Sequence, residues 1–275
     1  MSRICFLIAI HKNHNQAMRL INHLKKDFDL YVHIDKKSKL NIKSFDNVKV
    51  YKKFRVQHAG ISQVITTLFL IEEAFKNNYD RFVFISGQDI PLKSNKEIIN
   101  FFEENKNKEF ISFEDITNNE SCFNEMSYRL NTYNFGLWYR KLLSRKVRIS
   151  ISNISFLKRE TPNNIYYGSS WINLTKESIN YILDYITKSK KYLDRFKFTW
   201  GADEFFFQSI LLNSPFKEQC VNNCLRYLIW QGGVPITFKS EHYDMIKNNI
   251  NDNLFARKFD ENIDTNIIDM LYNDI

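Results

Sequence analysis

Apolar and polar positions along the first third of the chain follow the periods of strands and helices in turn. The run Ile4–Ile10 is apolar without a break, as expected for a strand that is covered on both faces. Apolar residues then recur at helical spacing from Ala17 to Phe28, and strand-like segments return at 30–35 and 48–56. This order of strand and helix predicts βαβ units and a mostly parallel central sheet flanked by helices, so the predicted fold class is α/β.

The same patterns predict the remaining elements, with one interruption. Residues 115–160 are polar and Asn-rich, then basic, and their periodicity is weak, so we interpret them as a long excursion over the fold rather than a linker. The other predicted elements are a helix at 61–75, strands at 82–86 and 110–113, an apolar stretch at 166–174, helices at 176–191 and 203–212, and a strand at 224–230.

Composition narrows the class of protein. The chain has 275 residues, of which 44% are hydrophobic and 25% charged, which is ordinary for a folded globular protein and excludes a disordered or fibrous one. Lys and Arg number 39 against 31 Asp and Glu, so the net charge is +8. A basic surface attracts anions, among which nucleic acid, anionic lipid and a phosphorylated small substrate remain open.

The number of cysteines and the lengths of the apolar runs indicate the cellular compartment in which the protein is expected. The 4 cysteines are Cys5, Cys122, Cys220 and Cys224, and no two of them form a C-x-x-C pair. Four thiols in a chain this long do not build a disulfide scaffold, so a reduced, cytoplasmic setting is expected. No apolar run approaches the roughly twenty residues that cross a bilayer, and none is followed by a cleavage pattern.

Polar residues follow three of the predicted strands. His11 and Lys12 follow the first strand, Asp35 ends the second, and Gln88 and Asp89 follow the strand at 82–86. Ligands of parallel sheets bind beyond the carboxyl ends of the strands. Each of these residues taken alone also has a simpler explanation, because strands must end in polar loops. Their joint occurrence favours a binding edge in this part of the chain.

Several common chemical motifs are absent. The chain has no G-x-G-x-x-G turn, no G-K-[ST] loop, no H-E-x-x-H helix and no zinc-ligand cluster. Its D-x-D sequence, Asp27-Phe28-Asp29, precedes the second strand and so lies at the end opposite the expected ligand edge. We therefore predict no metal site and no cofactor.

One candidate for acid–base chemistry is the segment at 200–208. Asp203 is expected to cap the helix that follows, and Glu204 then lies in the first turn, where the helix dipole favours an ionised carboxylate. An ionised carboxylate at a rigid position can act as a general base. Capping alone also explains acidic residues at a helix start, so both interpretations stand at this point.

Basic residues in apolar surroundings form a second group. Arg257 and Lys258 stand between two phenylalanines, and Arg226 stands in an otherwise apolar segment. A cation in apolar surroundings needs an anionic partner. A diphosphate would suit the arginine fork and the lysine charge, whereas a solvated face or helix-end charges would explain the pair without function.

A third candidate is the segment at 166–171, which ends in Ser170 and Trp171. Aromatic rings beside small polar side chains suit sugars, which offer apolar faces and hydroxyl edges. A turn before a buried strand explains the same residues equally well.

Taken together, segments at 10–16, 31–38, 84–94, 166–177, 202–216, 225–230 and 255–260 resemble the core-2/I-branching β-1,6-N-acetylglucosaminyltransferases. This family is glycosyltransferase family 14, which also includes peptide O-xylosyltransferases. The resemblance runs from about residue 4 to about residue 260 and leaves out the excursion. It implies a GT-A-type fold and metal-independent, inverting transfer from a UDP-sugar by a bacterial-type member.

The resemblance also implies roles for residues and regions of this sequence. Glu204 matches the catalytic base, Asp35 the uridine contact, and Arg226 and Lys258 the cations on the donor diphosphate, with Arg257 and His11 assigned to the same donor side. We predict that Ser170, Trp171 and Asp203 bind the acceptor. The predicted layout is a single GT-A-like catalytic domain over 1–275, with a nucleotide-binding half at 1–114, the acceptor-side excursion at 115–160 and a catalytic half at 161–275.

The leading hypothesis is transfer of N-acetylglucosamine from its UDP-sugar to a hydroxyl of a glycan or lipid-linked glycan. A UDP-xylose-dependent xylosyltransferase is the alternative within the family, and a non-catalytic glycan-binding or nucleic-acid-binding protein lies outside it. Scattered cations and the absence of a recognised motif argue against nucleic acid as a partner. The expected location is cytoplasmic, and the basic stretch at 140–148 is either a solvated loop or a peripheral contact with anionic lipid headgroups.

Overall fold

A computed structural model describes residues 2–117, 120–157, 159, 164–251 and 253–275 of the chain. Its central sheet has the strand order β10-β6-β9-β4-β1-β2-β3. The strands are β1 Ile4–Ile10, β2 Asp29–Ile34, β3 Val48–Tyr51, β4 Arg81–Ser86, β5 Asp89–Pro91, β6 Glu109–Ile111, β7 Glu114–Asp115, β8 Tyr166–Tyr167, β9 Ile172–Thr175, β10 Cys220–Val221, β11 Arg226–Tyr227, β12 Trp230–Gln231, β13 Val234–Pro235 and β14 Phe255–Arg257.

Helices cover both faces of this sheet. The α-helices of the described ranges are α1 His14–Leu24, α2 Ile61–Phe75, α3 Asn95–Glu104, α4 Glu120–Asn131, α5 Leu137–Leu142, α6 Arg145–Ser152, α7 Lys176–Lys188, α8 Lys190–Phe196, α9 Phe206–Leu211, α10 Tyr243–Lys247 and α11 Asn266–Asn273. Of these, α10 and α11 pack with β5 and β14 in a separate core. Short 3₁₀ turns include Ser155–Leu157 and Ala202–Glu204. None of the helices in the described ranges has both the length and the apolar character needed to cross a bilayer.

Strand β1 shows why the sheet is buried on both sides. Side chains alternate between the two faces of a strand. Cys5 and Leu7 accordingly join one apolar core, whereas Phe6 and Ile8 join a second core on the other face. The unbroken apolar run in the sequence is therefore the mark of a central strand, and the predicted α/β fold with a mostly parallel sheet is confirmed.

Strand β9 departs from the parallel pattern. β1 pairs in parallel with β2 and β4, but β9 lies between β4 and β6 and runs antiparallel to both. The amino end of β9 consequently reaches the sheet edge where β1, β2 and β4 end. Because β9 comes from the predicted catalytic half, the central sheet is shared between the two predicted halves.

Several predicted boundaries are wrong in detail. The strand expected at 48–56 ends at Tyr51, and the helix expected at 176–191 is divided between α7 and α8. The strand expected at 224–230 is two separate short strands, β11 and β12, and each of them pairs with a different partner.

The predicted helix at 203–212 is also wrong at its start. Residues Ala202–Glu204 form a 3₁₀ turn, and α9 begins only at Phe206. Asp203 does not cap this helix, because its side chain is turned into the protein, where the Gln63 amide donates to it at 3.2 Å. Gly201, with φ of 71°, begins the turn in the left-handed conformation instead.

The excursion at 115–160 contains more regular structure than its weak periodicity predicted. It holds α4, α5, α6 and the 3₁₀ turn Ser155–Leu157, and Ser144 caps α6 by accepting from the Val147 N–H. Residues 118, 119, 158 and 160 of the excursion, and the side chain of Cys122, lie outside the described residues.

Candidate active site

Parallel strands bring polar residues to one edge of the sheet. β1 is followed by His11 and Lys12, β2 by Asp35, and β4 by the turn that leads to Asp89. Since these strands are parallel neighbours, their carboxyl ends meet at this edge. The amino end of β9, with Trp171 just before it, lies at the same edge.

Asp89 is the anionic centre of this edge. Its Oδ2 accepts from the Ser86 backbone N–H and hydroxyl, both at 2.6 Å, and the Arg257 Nη1 lies 3.3 Å away. The Arg226 Nε lies 3.7 Å from the Asp89 Oδ1. Strand pairing fixes this arrangement, because Arg257 of β14 is directly opposite Asp89 of β5. One carboxylate thus faces two guanidinium groups and leaves an excess of positive charge.

Arg226 has the anionic partner that its apolar surroundings required. Its side chain and that of Asp89 are fully buried, with 0% exposed. Arg226 also donates to the carbonyl oxygens of Cys224 and Phe84. Burial lowers the pKa of Arg226, with the Arg257 charge acting in the same direction and Asp89 opposing both. Both Nη atoms of Arg226 are therefore occupied by protein carbonyl groups. Arg257, with 17% of its side chain exposed, is the more accessible of the two arginines.

Cations gather around His11. Burial lowers the pKa of His11, and the charges of Lys12, Arg257 and Lys258 lower it further, whereas Asp35 raises it. The pKa of Lys258 is lowered by burial and then by Lys12 and Arg257. The structure thus brings the predicted donor residues together, and their mutual repulsion would be relieved by a bound anion.

Lys12 is anchored by a carboxylate. It forms an ion pair with Asp260, which also accepts from the Asn13 amide at 2.9 Å. Burial opposes ionisation of Asp260, but hydrogen bonds from Lys12, the Asn262 N–H and Asn13 lower its pKa to about 2. Asp260 therefore stays ionised and fixes the direction of the Lys12 side chain.

Asp35 lies at the end of β2 and holds the loop beyond it. Its Oδ1 accepts from the N–H groups of Lys37 at 2.9 Å and Val56 at 3.3 Å. The Lys37 Nζ lies 3.5 Å from the Asp35 Oδ2. The carboxylate is mostly buried and close to the cations around His11, as its electrostatic effect on that residue shows.

Trp171 connects the cations with the rest of the edge. The guanidinium carbons of Arg257 and Arg226 lie 4.4 Å and 5.0 Å from the centroid of its ring, and the Phe84 ring stacks on it at 5.5 Å. Predicted as an acceptor contact, Trp171 is thus placed beside the predicted donor cations. Ser170, its neighbour, lies next to Asp203 and favours ionisation of that carboxyl.

Glu204 is held rigidly on the other side of Ser170. Its carbonyl accepts from the Gly168 N–H at 2.8 Å, and its own N–H donates to the Gly201 carbonyl at 2.9 Å. The carboxylate forms an ion pair with Arg129, whose Nε also donates to the Trp200 carbonyl at 3.1 Å. With 28% of its side chain exposed, Glu204 remains accessible to a ligand.

The surroundings of Arg129 favour its charged form beside Glu204. Burial disfavours its charged form, yet its pKa is raised because the Glu204 carboxylate and the Tyr167 hydroxyl favour that form. The guanidinium also lies over the rings of Tyr167 at 5.3 Å and Phe205 at 5.2 Å. A side chain of the excursion thus reaches the predicted base.

Asp203 has an environment unlike that of its neighbour. Burial raises its pKa to about 7, and the charge of Glu204 adds to the effect, while Arg129 and Ser170 oppose it. Two adjacent carboxyls therefore differ in their surroundings: Glu204 faces a cation, whereas Asp203 is buried and holds the Gln63 amide. The raised pKa of Asp203 suits a carboxyl that stays protonated and donates a hydrogen bond.

A small cavity lies beside this turn. Its volume is about 130 Å³, and it is lined by residues that include His58, Asn134, Gly136 and Trp200. The guanidinium of Arg140 lies 3.9 Å from the centroid of the Trp200 ring. The cavity therefore joins the Glu204 turn to the excursion, which supplies part of its wall.

Sequence reasoning placed Lys12 and Asp89 at the expected binding edge but gave them no individual role, and it missed Arg129 altogether. Arg129 lies in the excursion, where neither a motif nor periodicity pointed to it.

Within the described ranges, no group of three or more His, Cys, Asp or Glu side chains is arranged to hold a metal ion. The D-x-D residues have structural partners at the opposite edge of the sheet. Asp27 accepts from the Asn95 amide at 2.7 Å, and Asp29 accepts from the Tyr79 hydroxyl at 2.7 Å.

Comparison with known proteins extends over nearly the whole chain. Residues 4–256 match the sequence model of the Core-2/I-Branching enzyme family. Xylosyltransferase 1 of Rattus norvegicus is 22% identical over 306 residues, which cover 98% of this chain and 35% of that protein. Xylosyltransferase 2 of Rattus norvegicus is 23% identical over 304 residues, covering 98% of this chain and 33% of that protein.

The chain thus spans about a third of the length of these curated relatives. Among solved structures, a putative glucose-1-phosphate thymidylyltransferase from Bacillus anthracis aligns with 66% of this chain and 75% of its own, at 14% identity and a TM-score of 0.33. The match to the family model, which includes Glu204, Asp89, Arg129 and Arg226, is the decisive one. The chain therefore belongs to the Core-2/I-branching enzyme family of glycosyltransferases.

Proposed function

We propose that this protein transfers a sugar from a UDP-sugar to a hydroxyl group of a glycan, with inversion at the anomeric carbon and without a metal ion. The observation that carries the proposal is a division of charge at one edge of the sheet. Cations gather around His11, and an accessible carboxylate, Glu204, lies beyond Trp171 and Ser170. Inverting transfer needs these two functions: a base for the acceptor and positive charge for the leaving group.

The donor diphosphate would occupy the cationic end. Arg257 and Lys258 would contact its oxygens, His11 and Lys12 would border it, and Asp35 would receive the uridine. Fixed cations that repel one another in the free protein stabilise a developing diphosphate charge without reorganisation. In this proposal they do the work that a divalent ion does in other transferases.

Arg226 belongs to the donor side in a supporting role. Its buried ion pair with Asp89 and its contact with Trp171 fix the side chains that border Arg257. A direct contact with the diphosphate would require Arg226 to leave the carbonyl groups that it now binds.

Glu204 would accept the proton of the acceptor hydroxyl. The acceptor oxygen then forms a bond with the anomeric carbon on the face opposite UDP, while the bond between that carbon and the diphosphate oxygen breaks. The bonding electrons leave with UDP, and the proton remains on the Glu204 carboxyl. Ser170 would bind an acceptor hydroxyl, with Trp171 at the junction of the two substrates. Asp203, which was also predicted to bind the acceptor, would support this turn from inside the protein, because its side chain is buried and holds the Gln63 amide.

We propose N-acetylglucosamine as the transferred sugar, because the sequence resembles the core-2/I-branching β-1,6-N-acetylglucosaminyltransferases. The xylosyltransferase relatives favour xylose as a second candidate. The acceptor would be a glycan, free or lipid-linked. The cysteine content supports a cytoplasmic location.

A donor screen tests the proposal without an acceptor. The protein is incubated with UDP-N-acetylglucosamine, UDP-xylose, UDP-glucose and UDP-galactose, and release of UDP is measured in EDTA. We expect slow hydrolysis of one donor, with N-acetylglucosamine first and xylose second. A requirement for Mn²⁺ would contradict the metal-free mechanism, and failure to bind UDP in calorimetry would favour a non-catalytic glycan-binding protein.

Replacement of the base tests its assignment. Glu204→Gln should lower the transfer rate by about 10²–10⁴-fold, because the amide cannot accept the proton, while UDP affinity stays close to that of the wild type. Glu218→Gln, an exposed glutamate in another 3₁₀ turn, is the matched control and should keep full activity. Near wild-type transfer by Glu204→Gln would show that another group is the base.

A further inference from the structure

The excursion carries an unbalanced surface charge. Residues 126–159 contain no Asp or Glu, and Arg140, Lys141, Arg145, Lys146 and Arg148 fall within nine positions of one another. In the part of the chain that the structure describes, none of these cations takes part in an ion pair. Basic surface chains elsewhere do have carboxylate partners, such as Lys188 with Asp184. The charge of the excursion is therefore available to an anionic partner.

Large apolar side chains are exposed on the same segment. Phe156 is 82% exposed and Leu142 is 71% exposed, which makes them the most exposed of the large apolar side chains in the described ranges. Ile154, Val147 and Ile149 are also exposed. Single exposed apolar residues are common on proteins, but several within fifteen positions mark a contact surface.

Helix α6 buries polar side chains and exposes apolar ones. Arg148 and Ser152 of this helix are buried, whereas Val147 and Ile149 are exposed. The Arg148 guanidinium lies over the Tyr128 ring at 5.6 Å. A helix that packs on a core normally buries its apolar residues. In α6 this arrangement is reversed, since polar residues are buried and apolar residues are exposed. The helix also contacts the 3₁₀ turn that carries Phe156.

We propose that this part of the excursion is a docking face for a membrane surface that contains anionic lipid. The docking face consists of Lys141, Leu142, Lys146, Ile149 and Phe156. Val147 lies outside it, because residues two positions apart on a helix, such as Val147 and Ile149, are on opposite sides. The exposed lysines complement lipid phosphates, and the apolar side chains insert among the headgroups and upper acyl chains. We favour a lipid surface over an acidic protein because Leu142 and Phe156 are largely exposed beside the lysines, as expected of side chains that insert among acyl chains.

The docking face belongs to the same segment that contacts the candidate active site. Arg129 of the same excursion holds Glu204, and Arg140 lies on Trp200 at the cavity beside it. Docking would therefore hold the cavity close to the headgroups, where a lipid-linked acceptor presents its sugar. This orientation rests on the proposed function, whereas membrane binding itself does not.

Vesicle sedimentation tests the docking face. The full chain is mixed with vesicles of phosphatidylcholine containing phosphatidylglycerol, and with vesicles of phosphatidylcholine alone. We expect sedimentation with the anionic vesicles and little with the neutral ones. Leu142→Ser/Phe156→Ser and Lys141→Glu/Lys146→Glu should each lower the partition coefficient by about tenfold or more, because they remove the inserted groups and the charges respectively.

Matched controls separate a local face from general charge. Trp230→Ser/Val234→Ser removes two other exposed apolar side chains, and Lys191→Glu/Lys217→Glu makes the same charge change elsewhere. Both should bind like the wild type. Absence of wild-type binding to anionic vesicles, or equal losses in the control variants, would overturn the proposal.

Two further readouts complete the test. UDP-sugar hydrolysis in the absence of vesicles should be unchanged in both docking-face variants, so that failure of the docking face is distinguishable from failure of the proposed function. Size-exclusion chromatography should give the same mass for these variants and the wild type. If Leu142→Ser/Phe156→Ser converts a dimer into a monomer, the face joins two copies of the chain, and the membrane proposal is wrong.

Discussion

At the scale of single residues, Asp89 is the carboxylate on which two arginines of the site depend for a counter-charge. It neutralises one of the two arginines that converge on it, and it lies beside a guanidinium that is fully buried. Removing one partner of a buried ion pair leaves an uncompensated charge, which costs far more than a surface pair contributes.

We expect Asp89→Asn to lower the free energy of unfolding by about 3–5 kcal/mol, measured by urea denaturation. Asp89→Asn/Arg226→Met should recover part of this loss, because the buried charge is removed with its partner. Asp184→Asn, which breaks an exposed pair with Lys188, should change stability by less than about 1 kcal/mol. Equal effects of Asp89→Asn and Asp184→Asn would contradict the buried-pair interpretation.

Asp203 predicts a pH dependence of stability. Its pKa is raised to about 7 in the folded protein, mainly by burial and then by the charge of Glu204. In the unfolded chain an aspartate loses its proton near pH 4. Between these values the folded state binds more protons than the unfolded state, so Asp203 makes the free energy of unfolding fall as the pH rises from about 4 to about 7.

In Asp203→Asn this contribution is absent, and the decline between pH 4 and pH 7 should be smaller. Urea titrations at several pH values measure the slope. Asp194→Asn, an exposed aspartate paired with Lys197, is the control and should retain the wild-type slope. An unchanged slope in Asp203→Asn would show that this carboxyl is ionised at neutral pH.

Arg129 predicts a loss of transfer without a loss of donor binding. In Arg129→Met the Glu204 carboxylate loses the cation that orients it, so the transfer rate should fall by about tenfold or more while the Kd for UDP is unchanged. Arg129→Lys should restore part of the rate, because it keeps the charge. Activity assays and calorimetry measure the two quantities, and a weakened UDP complex would place Arg129 on the donor side instead.

At the scale of elements, the turn Ala202–Glu204 shows how local geometry sets the position of the base. Gly201 has φ of 71°, and a Cβ at this position would clash with the guanidinium of Arg129 and approach the carboxylate of Glu204. The backbone conformation favours glycine here, and an added Cβ would displace the Arg129 side chain from its place beside Glu204.

Gly201→Ala should therefore abolish most transfer and destabilise the fold by about 1–3 kcal/mol. Gly233→Ala is a matched control, since Gly233 has φ of 77° but open space around its Cβ position. It should show backbone strain alone and keep its activity. If both variants lose the same activity, backbone strain rather than the clash with Arg129 is responsible.

At the scale of the whole molecule, charge is distributed over two separate surfaces. The net charge of +8 includes the cations around His11 and the basic docking face of the excursion. The first is proposed to bind a diphosphate and the second a lipid surface. A ligand that binds only the folded state raises the unfolding temperature, and ionic binding weakens with salt.

We expect UDP to raise the Tm of the wild type, with a shift that shrinks as NaCl is added. Lys258→Met should lose most of the shift, whereas Lys191→Met, an exposed lysine on α8, should retain it. Thermal scans with and without UDP provide the measurement. A UDP shift that is insensitive to both salt and Lys258→Met would place the nucleotide elsewhere.

The sequence by itself determined the elements whose cause is local. The unbroken run of β1 and the helical spacing of α1 and α2 predicted a parallel α/β core, because burial on two faces leaves such patterns. The ordered segments that include Glu204 and Arg226 also indicated the family that the comparison confirmed. The requirement of Arg226 for an anionic partner followed from its apolar neighbours and is met by Asp89.

Only the tertiary structure decided which distant residues meet. The ion pair of Arg129 and Glu204 joins positions 75 residues apart, and no local period or motif records such a contact. The direction of β9, which brings Trp171 to the site edge, depends on its pairing with β4 and β6. Asp203 failed to cap its helix because burial and Gln63 drew the side chain inward, and local capping preference is weak against such packing.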